Sequence, residues 1–190
     1  MVDIDNMPVA FDECQFGIGD LVILTGVTKV TIENWTKRDI IVIGEMPPGR
    51  GWRRFSLSDA IVLAVVDGMV AAGVTPARAA PCAVLAAHMA KGLGGTAENT
   101  LMIAFAADGS MVPAAAYVKP GGLFLPRFGR EPGFEAFKRP FLCVPVLPIT
   151  LEIFERLDLL PRFARTDTPA RFAAVAARLE DPAIGWRMPA

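Results

Sequence analysis

Residues 18–37, with the sequence IGDLVILTGVTKVTIENWTK, decide the fold of the first part of the chain. Ile18, Leu21 and Leu24 recur at spacings of three, which is typical of a helix with one apolar face. Gly26 follows this run and indicates a tight turn, because glycine adopts backbone conformations that other residues avoid. The stretch therefore begins with a short helix and a turn.

A second short helix is predicted from about Thr28 to Lys37. Thr28 suits the N-cap, because its hydroxyl can accept a hydrogen bond from a free N–H of the first turn. So short a helix is not stable alone, and Ile32 and Trp35 are expected to pack it against the first helix. The order helix, turn, helix is that of a helix-turn-helix domain.

Two short strands are predicted next, Ile40–Ile43 and Trp52–Phe55, separated by a Pro/Gly-rich break at residues 47–51. Strands joined by such a loop form a small hairpin. Trp52, like Trp35, is expected to pack in the core. The hairpin would make this a winged helix-turn-helix.

Ser56 and Asp59 form a capping-box pattern, with serine first and an acid three residues later. The pattern predicts a helix that continues to about Ala72. A further helix is predicted from Thr75-Pro76, because proline suits the first helical position, and it is expected to end near Lys91.

The pattern changes after glycines 92, 94 and 95. Strands are predicted at Thr100–Ala106 and Met111–Val118 around Asp108-Gly109, a dipeptide that favours a hairpin turn. The remaining predictions are a loop at Gly121–Arg139, a strand at Phe141–Leu147, and helices at Ile149–Leu160 and Pro169–Leu179.

The predicted fold class is α+β, with three parts. Residues 1–17 are an acidic N-terminal arm, and residues 18–91 form the winged helix-turn-helix domain. Residues 96–190 form a small α+β domain with an antiparallel hairpin, which would serve oligomerisation or sensing.

The chain has 190 residues, of which 53% are hydrophobic, and a net charge of −1. This composition is typical of a folded protein. No stretch offers about 20 uninterrupted apolar residues, and Asp3 and Asp5 stand where a signal peptide needs positive charge, so a cytoplasmic protein is expected. Cys14, Cys82 and Cys143 lack CxxC spacing and are expected to be buried reduced thiols. No metal site and no cofactor is predicted.

The charge is distributed unevenly. Between residues 28 and 56 the chain has six basic residues and three acids, a balance of +3, although the whole chain is negative. Polar residues of the second helix suit base edges and phosphates in a major groove, and arginines of the hairpin suit the backbone. The predicted DNA-binding residues are Thr28, Lys29, Thr31, Asn34, Lys37, Arg38, Arg50, Arg53 and Arg54.

Residues 18–79 resemble the winged helix-turn-helix of MerR-type regulators. The resemblance rests on LTGVTKVTI (residues 24–32), Trp35, GWRRFS (residues 51–56), Asp59 and the AGV that ends the following helix. It implies that helix 28–37 lies in the major groove, that the wing at residues 49–55 holds the phosphate backbone, and that a homodimer binds near-palindromic double-stranded DNA.

The chain departs from this family at two points. Val30 and Glu33 stand where the family often has arginine, and a glutamate repels phosphate. Prolines and the glycines at 92–95 leave no room for the long coiled-coil helix by which many members dimerise, so a dimer would use another surface. The cysteine cluster of the metal-sensing members is absent from the sequence.

Two other functions stay open. The first is a phage-type architectural or packaging adaptor, such as an excisionase or a small terminase-like subunit, with the same winged fold. The second concerns the C-terminal half, whose apolar elements would suit a pocket for a small-molecule effector. Enzymatic activity is not expected, because the acids are scattered and the sequence has a single histidine.

Overall fold

A computed structural model describes residues 11–49, 51–92, 100–105, 111–119, 122–124, 141–157 and 159–160. Helices and an antiparallel sheet occupy different parts of the chain, which confirms the α+β class. The described elements are α1 (Ile18–Thr25), α2 (Lys29–Lys37), α3 (Leu57–Ala71), α4 (Pro76–Gly92), β1 (Thr100–Phe105), β2 (Met111–Lys119), β3 (Gly122–Phe124), β4 (Phe141–Val144) and α5 (Val146–Leu157).

The helical part follows the sequence pattern closely. Thr28 is the N-cap of α2, and Ile32 and Trp35 are buried beneath that helix, as predicted. Ser56 and Asp59 form the expected capping box at the start of α3. Residues of α3 are buried on more than one side, because α4 and α5 both pack against it. Because α3 is packed on several sides, its apolar residues are not confined to the single stripe typical of a surface helix.

The predicted strands at Ile40–Ile43 and Trp52–Phe55 do not form as continuous strands, and that prediction is wrong in its extent. One isolated antiparallel pair joins Glu45 to Arg54. Ile41 and Ile43 are instead buried in the core. The next hydrogen-bonded pair would need an N–H from Pro47, which proline lacks, so the ladder ends at Glu45.

The sheet has the strand order β3-β2-β1-β4, with every described pairing antiparallel. The predicted pairing of β1 with β2 is present, with Thr100 opposite Ala116 and Phe105 opposite Met111. The Asp108-Gly109 turn lies outside the described residues. Leu101 and Ile103 alternate along β1, and both are fully buried. One face of this strand therefore points into the core.

Three predictions about the second half need correction. Residues 122–124 form strand β3 within the segment that was predicted to be a loop. The predicted strand at Phe141–Leu147 ends at Val144. The helix predicted at Ile149–Leu160 is α5, which begins three residues earlier, at Val146, and ends at Leu157. Pro148 lies in the first turn of α5, where its missing N–H breaks no helical hydrogen bond. The predicted helix Pro169–Leu179 lies outside the described residues.

Both halves of the chain contribute to one cluster of buried residues. Side chains of β1, β4 and α5 lie in the same core as those of α1, α3 and α4. Ile153, Phe154 and Leu157 line the buried face of α5, which packs against all three helices. The boundary between residues 91 and 96 stays a prediction, but the described part of the second half is joined to the first by packing.

The end of the predicted arm is also fixed to this core. Phe16 is fully buried and exchanges backbone hydrogen bonds of 2.9 Å with Phe55 in both directions. The Phe11 ring meets the ring of Phe154 edge to face, with centroids 5.9 Å apart. Residues 1–10 lie outside the described residues.

The three cysteines are free thiols with different surroundings. Cys82 is buried and Cys14 is partly buried, whereas Cys143 is exposed, contrary to prediction. Cys143 lies on β4, an edge strand of the sheet, which explains its exposure. Among the described residues, no helix is both long and apolar enough to cross a membrane.

Candidate nucleic-acid interface

The turn between α1 and α2 depends on Gly26. Its φ is +75°, and its N–H donates to the carbonyl of Val22 at 2.9 Å. A side chain would be strained there, and a Cβ would also lie 3.2 Å from Nη1 of Arg156 on α5. Thr25 supports the turn, since its hydroxyl donates to the Leu21 carbonyl at 2.7 Å and accepts from the Val27 N–H at 3.1 Å. These contacts fix the direction in which α2 leaves α1.

Thr28 and Thr31 form the cap of α2. The Thr28 hydroxyl accepts from the Thr31 N–H at 3.2 Å, and the two hydroxyl oxygens lie 2.9 Å apart. Both residues were predicted to contact DNA. Their position at the helix N-terminus suits phosphate, although the hydrogen bond between them occupies part of their capacity to bind bases.

Glu33 lies between two lysines on α2. Its carboxylate oxygens are 3.8 Å from Nζ of Lys29 on one side and 3.8 Å from Nζ of Lys37 on the other. Each such surface pair contributes only about 0.3–0.5 kcal/mol to stability. The pairs nevertheless lower the net positive charge of this face from two units to one. The i,i+4 spacing in the sequence would have indicated both pairs.

Val30, Asn34 and Arg38 are exposed on the same helix or at its end. Val30 is 66% exposed. Asn34 lies one turn further along the same face. Arg38 is the C-cap of α2, and its N–H donates to the Asn34 carbonyl at 3.2 Å.

The segment after α2 returns to the same region through the Glu45–Arg54 pair. Their backbones exchange hydrogen bonds of 2.7 and 2.8 Å. The neighbouring residue Phe55 pairs with Phe16, so three short segments lie side by side. This arrangement brings residues 52–54 beside α2.

Asp59 anchors this segment to α3. Its Oδ2 accepts from the Ser56 N–H at 2.8 Å and from the Gly44 N–H at 3.2 Å. Burial raises the pKa of the Asp59 carboxyl, although the hydrogen bonds from Ser56 and Gly44 favour its charged form. Gly44 has a φ of +71°, and a Cβ there would lie 2.6 Å from the Phe55 ring. The anchor therefore requires glycine at residue 44.

The two described arginines of the segment differ in their partners. Nη1 of Arg53 donates to the Ile43 carbonyl at 3.3 Å, which ties its guanidinium to the loop. In the described part of the chain, the Arg54 guanidinium has no hydrogen-bond or ion-pair partner. Arg50, also predicted to bind DNA, lies outside the described residues.

A groove of about 510 Å³ runs between α2 and residues 52–54. Four of the predicted DNA-binding residues line it together with Glu33, namely Lys29, Lys37, Arg53 and Arg54. The charges of these four residues and Glu33 sum to +3. The structure thus brings these four residues together, whereas Thr28 and Thr31 lie at the helix cap and Arg38 at the opposite end of α2.

Trp52 also lines the groove, and its side chain is 90% exposed. The prediction that it packs in the core is wrong, whereas Trp35 is buried as predicted. An indole has a large apolar area, and burying it from water is favourable. An indole left this exposed beside two arginines indicates a contact surface. The alternation of local hydrophobicity does not distinguish it from a core residue.

Residues 16–81 match the sequence model of the family described as MerR HTH family regulatory protein. This match is consistent with a MerR-type helix-turn-helix domain in the N-terminal part of the chain and agrees with the resemblance seen in the sequence. The match favours a DNA-binding regulator of transcription. It ends within α4. No curated protein matches the chain.

Proposed function

We propose that the protein is a sequence-specific regulator of transcription that binds double-stranded DNA. Helix 28–37 lies in the major groove, and residues 49–55 act as a wing on the phosphate backbone. The groove between them carries the proposal, because four cationic side chains from two separate elements line it. A phosphate backbone is the polyanion that such a groove suits.

The shape of α2 supports the placement in the major groove. It is a helix of nine residues, its capped N-terminus is exposed, and its buried residues lie on the side opposite Val30. A B-DNA major groove is about 12 Å wide and admits one α-helix. Exposed side chains of α2 would face base edges in that position.

The charge distribution supports phosphate binding by the wing. The chain as a whole has a net charge of −1, yet the groove carries +3. Glu33 neutralises part of the lysine charge on α2, so Arg54 and Arg53 supply most of the attraction for phosphate. Trp52 adds an apolar surface that suits the sugar edge of the backbone next to these arginines.

The protein is further proposed to act as a homodimer on a near-palindromic site. The 17 residues of α4 are too few for a long coiled coil, so the dimer would use another surface.

In vitro selection from random duplex DNA tests the proposal. We expect the protein to enrich one motif with two related half-sites, because each subunit of a dimer presents the same helix. Enrichment of no motif would contradict sequence-specific binding. Mapping of binding sites on the genome then separates the regulator from the phage-type adaptor, since sites confined to attachment or packaging sequences would indicate the adaptor.

A further inference from the structure

The outward face of α2 has an apolar centre. Val30 is 66% exposed and stands opposite the buried side chains Ile32 and Trp35. Isolated surface aliphatic residues are common and need no explanation on their own. Val30, however, lies in the first turn of the helix that the proposed function places in the major groove.

Asn34 lies beside Val30 on this face, because residues four apart in a helix are neighbours. It is exposed, and within the described ranges its side-chain amide makes no hydrogen bond. Lys29 and Lys37 flank the pair, and Glu33 holds both lysines at 3.8 Å. The face therefore presents one apolar group and one free amide between charged side chains.

Both side chains have a specific counterpart among the base pairs. The only methyl group in the major groove belongs to thymine, and an aliphatic side chain packs against it. An asparagine amide can donate to N7 and accept from the N6 amine only of adenine, as a bidentate pair. Helix α2 contains no arginine, the residue that most commonly pairs with guanine.

We propose that Val30 and Asn34 read A·T base pairs in each half-site, Val30 through a thymine methyl and Asn34 through an adenine. This inference rests on the proposed function. One helical turn advances about 5.4 Å, and stacked base pairs are about 3.4 Å apart, so the two contacted pairs lie within about two steps of each other. The lysines and arginines around them hold phosphates and carry no preference for sequence.

Replacing single thymines of the selected duplex by deoxyuridine, which lacks the methyl, tests the role of Val30. The wild-type protein is expected to lose about fourfold in affinity at one thymine of each half-site, the effect of one methyl withdrawn from an apolar contact. Val30→Ala should bind the unmodified duplex more weakly and show no response to deoxyuridine at that position.

Val84→Ala is the matched control, since Val84 is an exposed valine on α4, outside the groove. It should keep both the wild-type affinity and the deoxyuridine response. Replacing single adenines by 7-deazaadenine tests Asn34 in the same way, because this base lacks the N7 acceptor. Asn34→Ala should lose the response to 7-deazaadenine at one adenine of each half-site and respond as the wild type does at the other adenines.

The outcomes separate this inference from the proposed function. If the protein binds a selected duplex and Val30→Ala responds to deoxyuridine as the wild type does at every thymine, the assignment of Val30 is wrong and DNA binding stands. If no duplex is selected, both proposals fail. Circular dichroism of each variant checks that α2 is still folded.

Discussion

At the scale of single residues, Asp59 joins the loop at Gly44 to the start of α3. One carboxylate oxygen accepts hydrogen bonds from the N–H groups of Ser56 and Gly44, while the Ser56 hydroxyl accepts from the Asp59 N–H at 3.1 Å. These contacts form both the N-terminal cap of α3 and the attachment of the loop before Glu45. Two substitutions separate the hydrogen bonds from the charge.

Asp59→Ala is expected to lower the free energy of unfolding by roughly 1–3 kcal/mol, because two N–H groups lose their acceptor. Asp59→Asn keeps an acceptor oxygen and removes the charge, and it should cost clearly less. Urea denaturation of both variants measures this difference. Equal losses for Ala and Asn would contradict a role as hydrogen-bond acceptor.

Burial raises the pKa of Asp59 above its ordinary value of 3.8, and this gives the wild type a defined pH dependence. A group with a raised folded-state pKa contributes stability below the unfolded pKa, and this contribution is lost as pH rises through the folded pKa. The wild type should therefore gain stability relative to Asp59→Asn as pH falls from neutral towards 4. Asp12, whose pKa Lys91 and Ser58 lower, titrates in both proteins, so most of its effect cancels from the difference.

At the scale of elements, the helical part was predictable because its signals are local. Gly26 marks the turn, Thr28 caps α2, and Ser56 with Asp59 caps α3, each within four residues of the atoms it bonds. Helix caps and turns depend on backbone groups close in sequence. Short stretches of sequence therefore contain the information that fixes these elements.

The strand predictions were less successful because strands depend on distant partners. Ile41 and Ile43 alternate as a strand would, but the core buries them and no ladder forms beside them. Pro47 stops the pairing after Glu45, an effect that becomes visible only once the register of the pair is known. The exposure of Trp52 likewise follows from the position of the loop and not from its neighbours in sequence.

The candidate site was predictable in its residue types and less so in its contacts. Lys29, Lys37, Arg53 and Arg54 meet at one groove because the order of the elements brings α2 and residues 52–54 together. The hydrogen bond of Arg53 to the Ile43 carbonyl depends on the irregular loop, and no local pattern indicates it. Tertiary packing therefore decides which of these cationic side chains forms a hydrogen bond within the protein, as Arg53 does.

At the scale of the whole molecule, α5 makes the second half part of the core around the helix-turn-helix. Leu157 is fully buried, with 0% of its surface accessible to solvent. Its helix, α5, packs against α1 and α3. Arg156 of the same helix lies next to Gly26 in the turn before α2. A change in α5 should therefore reach the helices that carry the candidate site.

Leu157→Ala is expected to lower the free energy of unfolding by about 2–5 kcal/mol and to speed amide hydrogen exchange in α1 as well as in α5. Leu159→Ala is the matched control, because Leu159 is 67% exposed, and it should change stability by no more than about 0.5 kcal/mol. Exchange that speeds up in α5 alone would indicate that the two predicted domains unfold independently.

The salt dependence of DNA affinity shows whether Arg53 and Arg54 bind phosphate, the contact on which the proposed DNA binding depends. The measurement compares the wild type with Arg53→Ala/Arg54→Ala on the selected duplex from about 50 to 200 mM salt. Arg78→Ala, a change on α4 outside the groove, controls for loss of positive charge. The double variant should bind every duplex more weakly, and its slope of log affinity against log salt should be shallower by about 2, or about 1 for each phosphate contact. An unchanged affinity and slope in the double variant would contradict phosphate binding by Arg53 and Arg54.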